Sequence, residues 1–353
     1  MNSIPSFNSY IEQSIINNWE KDALTDYKGA TLQYHDVARK IEKLHILFEN
    51  SGVKPGDKIA LCGRNSSNWA VAFLATLTYG AVAVPIQHEF KTEQVYNIVN
   101  HSESRLLFVG DIVATEIDVA KMPELEGVIY IPDYSLVSSR SESLTYAREH
   151  LNQIFCKKFP KYFHTEHIHY YKDEPEELAL INYTSGTTGF SKGVMLPYRT
   201  LICNIDGLTK DVVSKLPKYC NILSILPMAH MYGLSCEFLM EICSGNHIFF
   251  LTRQPSPTLI SEAFAEIHPA LIVSVPLVIE KIIRKIVFPV VQTNKMKLLM
   301  NMPVINKKVN ERVCELVKEV FGGNAYEIIV GGAGMSHEIE EFLQCIGFPY
   351  TMG

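Results

Sequence analysis

Helical and strand periodicities alternate along most of the chain, and this alternation constrains the fold more than any other feature. Val37, Ile41, Leu44 and Phe48 repeat at helical spacing and precede Gly52, a residue type that commonly ends helices. The apolar segments that alternate with such helices are predicted strands, at residues 58–62, 81–86, 106–109 and 128–131. A strand–helix–strand series of this kind folds into a parallel sheet covered by helices on both faces.

A second series of the same kind follows a more polar, less regular segment at residues 133–176, which we interpret as a connection. Its predicted strands are residues 178–183, 221–226, 247–251, 271–275 and 326–330. At 353 residues the chain is long enough for two or three packed units. We therefore predict an α/β protein with two packed subdomains and mostly parallel sheets, residues 1–176 and residues 177–353.

Composition excludes several classes of protein. Lys and Arg number 32 against 38 Asp and Glu, a net charge of −6, and no block of like charge is present, which disfavours a nucleic-acid partner. Eight irregularly spaced cysteines without a C-x-x-C pair predict buried, reduced thiols in a cytosolic protein. The uncharged stretch 66–88 is divided by Gly80 and Pro85, so a buried helix followed by a strand is favoured over a membrane span.

The most informative segment is a run of glycine and hydroxyl residues that follows the strand ending at Tyr183. Its glycines let the backbone curl with N–H groups pointing inward, and its hydroxyls add donors or ligands for Mg²⁺. Lys192 adds a cation that can reach a terminal phosphate. The candidate phosphate-binding residues are Thr184, Ser185, Gly186, Thr187, Thr188, Gly189 and Lys192.

Two other interpretations of this segment are weaker. A plain surface turn rarely combines so many small residues with a following Lys-Gly pair. A Walker-type P-loop requires G-x-x-x-x-G-K-[ST], but Ser191 precedes Lys192 and Gly193 follows it, so both required positions fail.

The segment resembles the Y-T-S-G-T-T-G-x-P-K-G signature of the adenylate-forming superfamily, which includes acyl-CoA synthetases, luciferases and peptide-synthetase adenylation domains. Ser191 stands where proline is commonest, and long-chain acyl-CoA synthetases tolerate serine there. Further segments resemble the family's motifs in the same order, at residues 52–61, 65–86, 226–233 and 331–338. Residues 275–282 resemble the long-chain branch in particular.

The resemblance implies a fatty acid–CoA ligase. A fatty acid carboxylate attacks the α-phosphorus of ATP to give an acyl-adenylate and pyrophosphate, and the thiol of coenzyme A then takes the acyl group. By the same resemblance, residues 184–189 and Lys192 clasp the β- and γ-phosphates, and Thr184 contacts Mg²⁺. Gly331, Gly332 and Ala333 end a strand and lie against adenine. His230 lines the carboxylate end of the acyl pocket, and we count it with Lys192 as a candidate catalytic residue.

Structural alternatives remain open for these residues. The glycines after residue 330 also suit a tight strand-to-helix turn without a ligand, and a lone histidine such as His230 is often a satisfied structural residue. The apolar helix that follows His230 is favoured as core over a wall of an acyl tunnel. The function has alternatives too: adenylation of another acid, transfer to an acyl-carrier protein, or a non-catalytic nucleotide-binding module.

In the family, Gly353 falls just before a Tyr-Gly-x-Thr-Glu segment that contacts adenine and Mg²⁺. The ribose-binding Asp, the hinge and the mobile C-terminal domain with its adenylation Lys follow that segment. We therefore expect an N-terminal fragment that largely folds but has little ligase activity alone. The expected location is the cytoplasm. Peripheral contact at the inner membrane surface, oligomeric state and acyl chain length are left open.

Overall fold

The computed structural model describes residues 6–184, 192–293 and 306–353, and the described residues form two seven-stranded sheets. The strands in chain order are β1 Asp22–Asp26, β2 Thr31–Gln33, β3 Lys58–Cys62, β4 Val82–Ile86, β5 Ser104–Val109, β6 Gly127–Tyr130, β7 Leu136–Ser139, β8 Leu178–Thr184, β9 Lys192–Pro197, β10 Asn221–Ser224, β11 His247–Phe250, β12 Leu271–Ser274, β13 Glu327–Val330 and β14 Thr351–Met352.

Helices connect most of these strands. They are α1 Phe7–Asn17, α2 Tyr34–Asn50, α3 Ser67–Thr78, α4 Thr92–Ser102, α5 Asp111–Glu116, α6 Glu142–Glu149, α7 Leu151–Lys158, α8 Tyr198–Asp211, α9 Met231–Gly233, α10 Met240–Cys243, α11 Pro257–Ile267, α12 Pro276–Ile282, α13 Phe288–Val291, α14 Asn306–Val320 and α15 His337–Cys345. A π-helix at Leu234–Leu239 joins α9 to α10, and another at Ile283–Val287 joins α12 to α13.

Both sheets are mostly parallel, as the sequence predicts. The first sheet has the order β7-β6-β5-β3-β4-β8-β9, with antiparallel pairing only at its two edges, β6–β7 and β8–β9. The second has the order β14-β13-β12-β10-β11-β1-β2, antiparallel only at β1–β2. The predicted α/β class with two sheets is therefore confirmed.

The two sheets exchange strands across residue 176. Strands β8 and β9 belong to the first sheet, where β8 pairs with β4, while β1 and β2 belong to the second, where β1 pairs with β11. The division into residues 1–176 and 177–353 stays a prediction, and the sheets themselves do not follow it.

The uncharged stretch at residues 66–88 forms α3 and β4. Ser66 caps α3, because its hydroxyl oxygen accepts a hydrogen bond from the amide of Trp69 at 3.1 Å. The rings of Trp69 and Phe73 stack on each other and are buried. Within the described part of the chain, no helix combines the length and the hydropathy needed to cross a membrane.

One local expectation needs correction. The segment 133–176 contains an edge strand and two short helices, β7, α6 and α7, before it becomes irregular. Helix α4 has Lys91 at its N-cap position in an extended conformation, and the Lys91 amide donates to Gln94 Oε1 at 3.1 Å.

The cysteines are only partly as predicted. All are free thiols, and four of them are buried, Cys62, Cys220, Cys236 and Cys314. The prediction of burial is wrong for three cysteines that are exposed on helices, Cys156, Cys203 and Cys345.

Candidate functional site

The predicted phosphate loop connects two antiparallel strands whose ends face each other. Thr184 ends β8, Lys192 begins β9, and the two residues are direct partners in the pairing. Both are exposed. Cβ atoms of directly opposite residues lie about 4.5–5.5 Å apart. The remaining predicted loop residues, Ser185, Gly186, Thr187, Thr188 and Gly189, lie outside the described residues.

One face of this hairpin is directed toward the segment that carries His230. Asn182 lies two residues before Thr184 and therefore on the same face of β8. Its side-chain amide donates to the carbonyl of Ala229 at 3.0 Å, and this bond is buried. Because Lys192 is paired with Thr184, it shares that face, so both candidate phosphate ligands project on the side of His230.

The opposite face of the hairpin is anchored by Tyr183. Its hydroxyl and His101 Nδ1, on α4, are joined by a 2.7 Å hydrogen bond. Across the pairing lies Gly193, where an added Cβ would be only 2.9 Å from Ile181 Cγ2 and 3.0 Å from Tyr183 Cζ. Gly193 is thus required by the close approach of the tyrosine ring, and not only by backbone flexibility in the loop.

The segment at residues 226–230 leaves the second sheet after β10 and is held by Asn65, in the loop between β3 of the first sheet and α3. Asn65 donates to the carbonyl of Leu226 at 2.7 Å and accepts from the amide of Met228 at 2.9 Å. It also donates to the hydroxyl of Ser224 at 3.2 Å. One side chain therefore satisfies donors and acceptors on both sides of the proline in this motif.

Of the roles that the sequence left open, the structure shows a structural one for His230. Its Nδ1 accepts the backbone amide of Tyr232 at 3.3 Å, which makes it the N-cap of α9. A neutral ring that accepts at Nδ1 carries its proton on Nε2. The side chain is exposed, so Nε2–H can donate to a ligand such as a carboxylate.

Tyr232 connects the His230 segment to the predicted adenine segment. Its hydroxyl lies 3.4 Å from the carbonyl oxygens of Ser274 and Ile329, at the ends of β12 and β13. A Cβ added to Gly331 would lie 3.0 Å from this hydroxyl. Burial raises the pKa of Tyr232, so the hydroxyl stays protonated and able to donate.

The predicted adenine segment begins where β13 ends. Gly331 is buried and its amide donates to Ser274 at 3.0 Å, whereas Gly332 and Ala333 are exposed. Gly332 has φ +87°, a conformation that favours glycine. The carboxyl edge of a parallel sheet is where such folds bind ligands, and these three residues lie there.

Behind His230, the apolar helix carries two buried carboxyl groups. The predicted core residues Leu234, Phe238, Leu239 and Ile242 are buried, as expected. Glu237 and Glu241, one turn apart, are also completely buried, and burial raises the pKa of each to about 8. Glu237 accepts from the hydroxyl of Ser224 and from the amides of Ile225 and Leu226.

A cavity of about 270 Å³ lies beside this site, at the carboxyl ends of β3, β4 and β5. Asn65 belongs to its wall, together with Asp26, Arg64 and His88. Burial and the Arg64 charge lower the pKa of His88, against the opposing effect of Glu89, and burial raises that of Asp26. The cavity therefore disfavours charge on both groups.

Sequence reasoning missed the residues that hold the site together: Asn65, His101, Asn182, Tyr232 and Glu237. Some signals were present. Asn182 has the strand spacing that places it on the face of Thr184, and Tyr232 lies inside the quoted 226–233 motif. Glu237 and Glu241 are acids within a largely apolar helix, a pattern that indicates buried polar contacts.

Comparison with known proteins identifies the family. The model of the AMP-binding enzyme family matches residues 11–350. The chain belongs to the AMP-binding enzyme family. Curated relatives include Long chain acyl-CoA synthetase 3 of Arabidopsis thaliana, 25% identical over 345 residues that cover 90% of this chain and 50% of that protein. Long-chain-fatty-acid–CoA ligase 5 of Rattus norvegicus is 24% identical over 344 residues, 89% of this chain and 48% of that protein.

Solved structures share the fold. The N-terminal domain of FACL13 from Mycobacterium tuberculosis superimposes with a TM-score of 0.71 at 17% identity, covering 99% of this chain and 75% of that domain. ATP-bound MatB from Rhodopseudomonas palustris gives a TM-score of 0.69 at 18% identity, covering 99% and 60%. The chain spans about half the length of the curated relatives it matches.

Proposed function

We propose that this AMP-binding protein takes part in ATP-dependent activation of a fatty acid to an acyl-adenylate, followed by transfer to coenzyme A. Because the chain spans about half of its curated relatives, the complete reaction is proposed for the protein as a whole. The class of acid rests on the names of the relatives, which are long-chain acyl-CoA synthetases.

One observation carries the proposal. Three segments that are far apart in sequence are joined by contacts: Asn182 binds Ala229 beside His230, and Tyr232 contacts the ends of β12 and β13 beside Gly331. An adenylating site needs a phosphate loop, a carboxylate site and an adenine site within the length of one nucleotide. This set of contacts supports such an arrangement.

Each residue has a proposed part in the first step. Lys192 and the loop at residues 184–189 neutralise the β- and γ-phosphates, because attack of one anion on another requires removal of charge repulsion. Thr184 is the proposed Mg²⁺ contact. The exposed Nε2–H of His230 orients the substrate carboxylate, and no general base is needed, since a carboxylate nucleophile has no proton to lose. Gly331, Gly332 and Ala333 offer a flat surface for adenine.

Binding measurements with two different nucleotide ligands distinguish the role of the phosphate loop from that of the rest of the site. Lys192→Ala removes a contact to the β- and γ-phosphates, which ATP has and a fatty-acyl sulfamoyl adenosine lacks. We expect the ATP affinity to fall about 10- to 100-fold, which is the loss expected when one charge-assisted hydrogen bond is removed. The affinity for the sulfamoyl adenosine should change little. Titration calorimetry measures both, and Lys210→Ala, an exposed lysine on α8, is the matched control.

The outcomes discriminate among the alternatives. Equal loss of ATP affinity in both lysine variants, or none in Lys192→Ala, would overturn the assignment of the loop. Tighter binding of aminoacyl or aryl sulfamates than of fatty-acyl ones would move the substrate to another acid. ATP binding without acid-dependent pyrophosphate exchange in the complete protein would favour a non-catalytic nucleotide-binding module.

A further inference from the structure

The helix behind His230 departs from regular α-helical geometry where its first buried acid lies. Residues Leu234–Leu239 form a π-helix between α9 and α10, and Glu237 lies within it. Short π segments are rare and frequently occur at functional sites. Glu237 is fully buried, and within residues 6–184, 192–293 and 306–353 no basic side chain forms an ion pair with it.

The partners of Glu237 all belong to the chain that leaves β10. Its Oε2 accepts from the Leu226 amide at 2.9 Å, the Ile225 amide at 3.1 Å and the Ser224 hydroxyl at 3.0 Å. Strand β10 ends at Ser224, so the next two amides need acceptors outside the sheet ladder. The carboxyl supplies them and fixes the direction in which the chain continues toward His230.

The same segment is held from the other sheet. Asn65 binds Leu226 and Met228, and Asn182 binds Ala229. Residues 225–229 are therefore held by hydrogen bonds to the buried Glu237 and to two asparagines. His230 and Tyr232 follow this segment directly. Asn65 bonds to the carbonyl of Leu226, but neither Asn65 nor Asn182 accepts the backbone N–H of Ile225 or Leu226, which donate to Glu237.

We propose that Glu237 is a positioning residue for the nucleotide and carboxylate site: it holds the turn after β10 so that His230 and Tyr232 keep their ligand-binding geometry. This inference rests on the proposed function and adds a residue that touches no ligand. Misplacement of reacting groups by about 1 Å can cost about 100-fold in rate, so a positioning contact of this kind has a measurable effect.

Glu241 provides a matched control. It lies one helical turn further on, is equally buried, and accepts from Asn246 Nδ2 at 2.6 Å. Its other oxygen, Oε1, has no hydrogen-bond partner among the residues that the structure describes. Removing either carboxyl disturbs the same helix, but only Glu237 contacts the segment that carries His230.

The test compares Glu237→Leu and Glu237→Asp with Glu237→Gln and Glu241→Leu. The leucine variant removes the acceptors, and the aspartate variant withdraws them by one methylene. We expect both to weaken binding of the fatty-acyl sulfamoyl adenosine about tenfold or more, because the turn loses its anchor. The glutamine variant keeps an acceptor oxygen and the Glu241 variant keeps the anchor, so both should bind within about threefold of the unchanged protein.

A second readout needs no ligand. The ¹⁵N shifts of the His230 ring report whether Nδ1 still accepts the Tyr232 amide, and we expect that signature to be lost in Glu237→Leu and Glu237→Asp but kept in the other two variants. Unchanged ring shifts and affinity in the aspartate variant would overturn the proposal, even if the leucine variant does not fold. If the unchanged protein shows the ring signature but binds no adenylate, the proposed function fails while the positioning role stands.

Discussion

At the scale of single residues, close packing contacts explain the identity of Gly193 better than its membership of a motif does. Gly193 belongs to the recognised phosphate-loop signature, where glycine is usually explained by loop flexibility. In the structure it lies in β9, opposite Tyr183, with no room for a Cβ between that ring and Ile181. Tyr183 in turn is fixed by His101. The glycine therefore has a packing role in the strand that supports the loop.

The substitution Gly193→Ala is expected to destabilise the protein. A methyl group 2.9 Å from Ile181 Cγ2 forces the hairpin strands apart, and overpacking of this kind typically costs about 1–3 kcal/mol. Urea denaturation monitored by circular dichroism measures the free energy of unfolding.

The control substitution is expected to raise the free energy of unfolding instead of lowering it. Gly207 lies in α8, is exposed, and an added Cβ there meets nothing within 4 Å. Gly207→Ala should stabilise the protein by about 0.5–1 kcal/mol through helix propensity. Equal effects of the two substitutions would show that Gly193 is not constrained by packing.

At the scale of secondary-structure elements, the helix after His230 stands out. Its extent, near 232–243, and its buried apolar face follow from the sequence. Its π-helical turn and its two buried acids have consequences that hydrophobic periodicity does not reveal. The pKa of each acid is raised to about 8 chiefly by burial, with opposing hydrogen bonds from Ser224, Ile225 and Leu226 to Glu237 and from Asn246 to Glu241.

These acids predict a loss of stability as pH rises. A carboxyl whose folded pKa of about 8 exceeds its unfolded value of 4.5 binds more protons in the folded state between those limits. Above pH 6.5, where the buried histidines no longer contribute, the free energy of unfolding should therefore fall as the pH rises to 8. Glu241→Gln, which cannot ionise, should make this fall smaller in urea denaturation between pH 6.5 and pH 8.

Buried histidines give the free energy of unfolding the opposite dependence on pH at lower pH. Burial lowers the pKa of His45 from 6.5 to about 3 and that of His247 to about 4, so the unfolded chain binds more protons below pH 6.5. Between pH 4.5 and 6.5 the histidines oppose the acids. Below pH 4.5 the acids no longer contribute, so stability should fall as the pH drops further, and Glu241→Gln should leave this acid limb unchanged. If the variant alters both limbs equally, the alkaline loss does not arise from Glu241.

At the scale of the whole molecule, the exchange of strands joins the two sheets. Residues 22–33 complete the second sheet, and residues 178–197 complete the first. Asn65 adds hydrogen bonds from the first sheet to the turn after β10. Neither half of the chain contains all the strands of one sheet.

The 353-residue chain is therefore expected to unfold in one cooperative transition. Residues 1–176 expressed alone should not fold, because β4 would lack β8 and β1 would lack β11. Scanning calorimetry of the full chain and circular dichroism of the shorter one check this. Two separate transitions, or a folded 1–176 chain, would support independent units divided at residue 176.

The sequence alone determined the fold class, most strands of both sheets and the location of the motif segments. Periodicity is a local property, so β3, β4 and β12 were predicted within one residue of their observed ends. The phosphate-loop signature and its companions likewise identified the family before any contact was known.

Only the tertiary structure decided which elements and side chains meet. Three examples are the pairing of β1 with β11, the contact of Asn182 with Ala229, and the hydrogen bonds from the turn after β10 to Glu237. They join residues that are 11 to 224 positions apart (Leu24 and Ile248 give 248 − 24 = 224), a separation over which no local pattern carries information. Such contacts depend on how the sheets pack, because a buried polar group must find its partner in whatever the fold brings next to it.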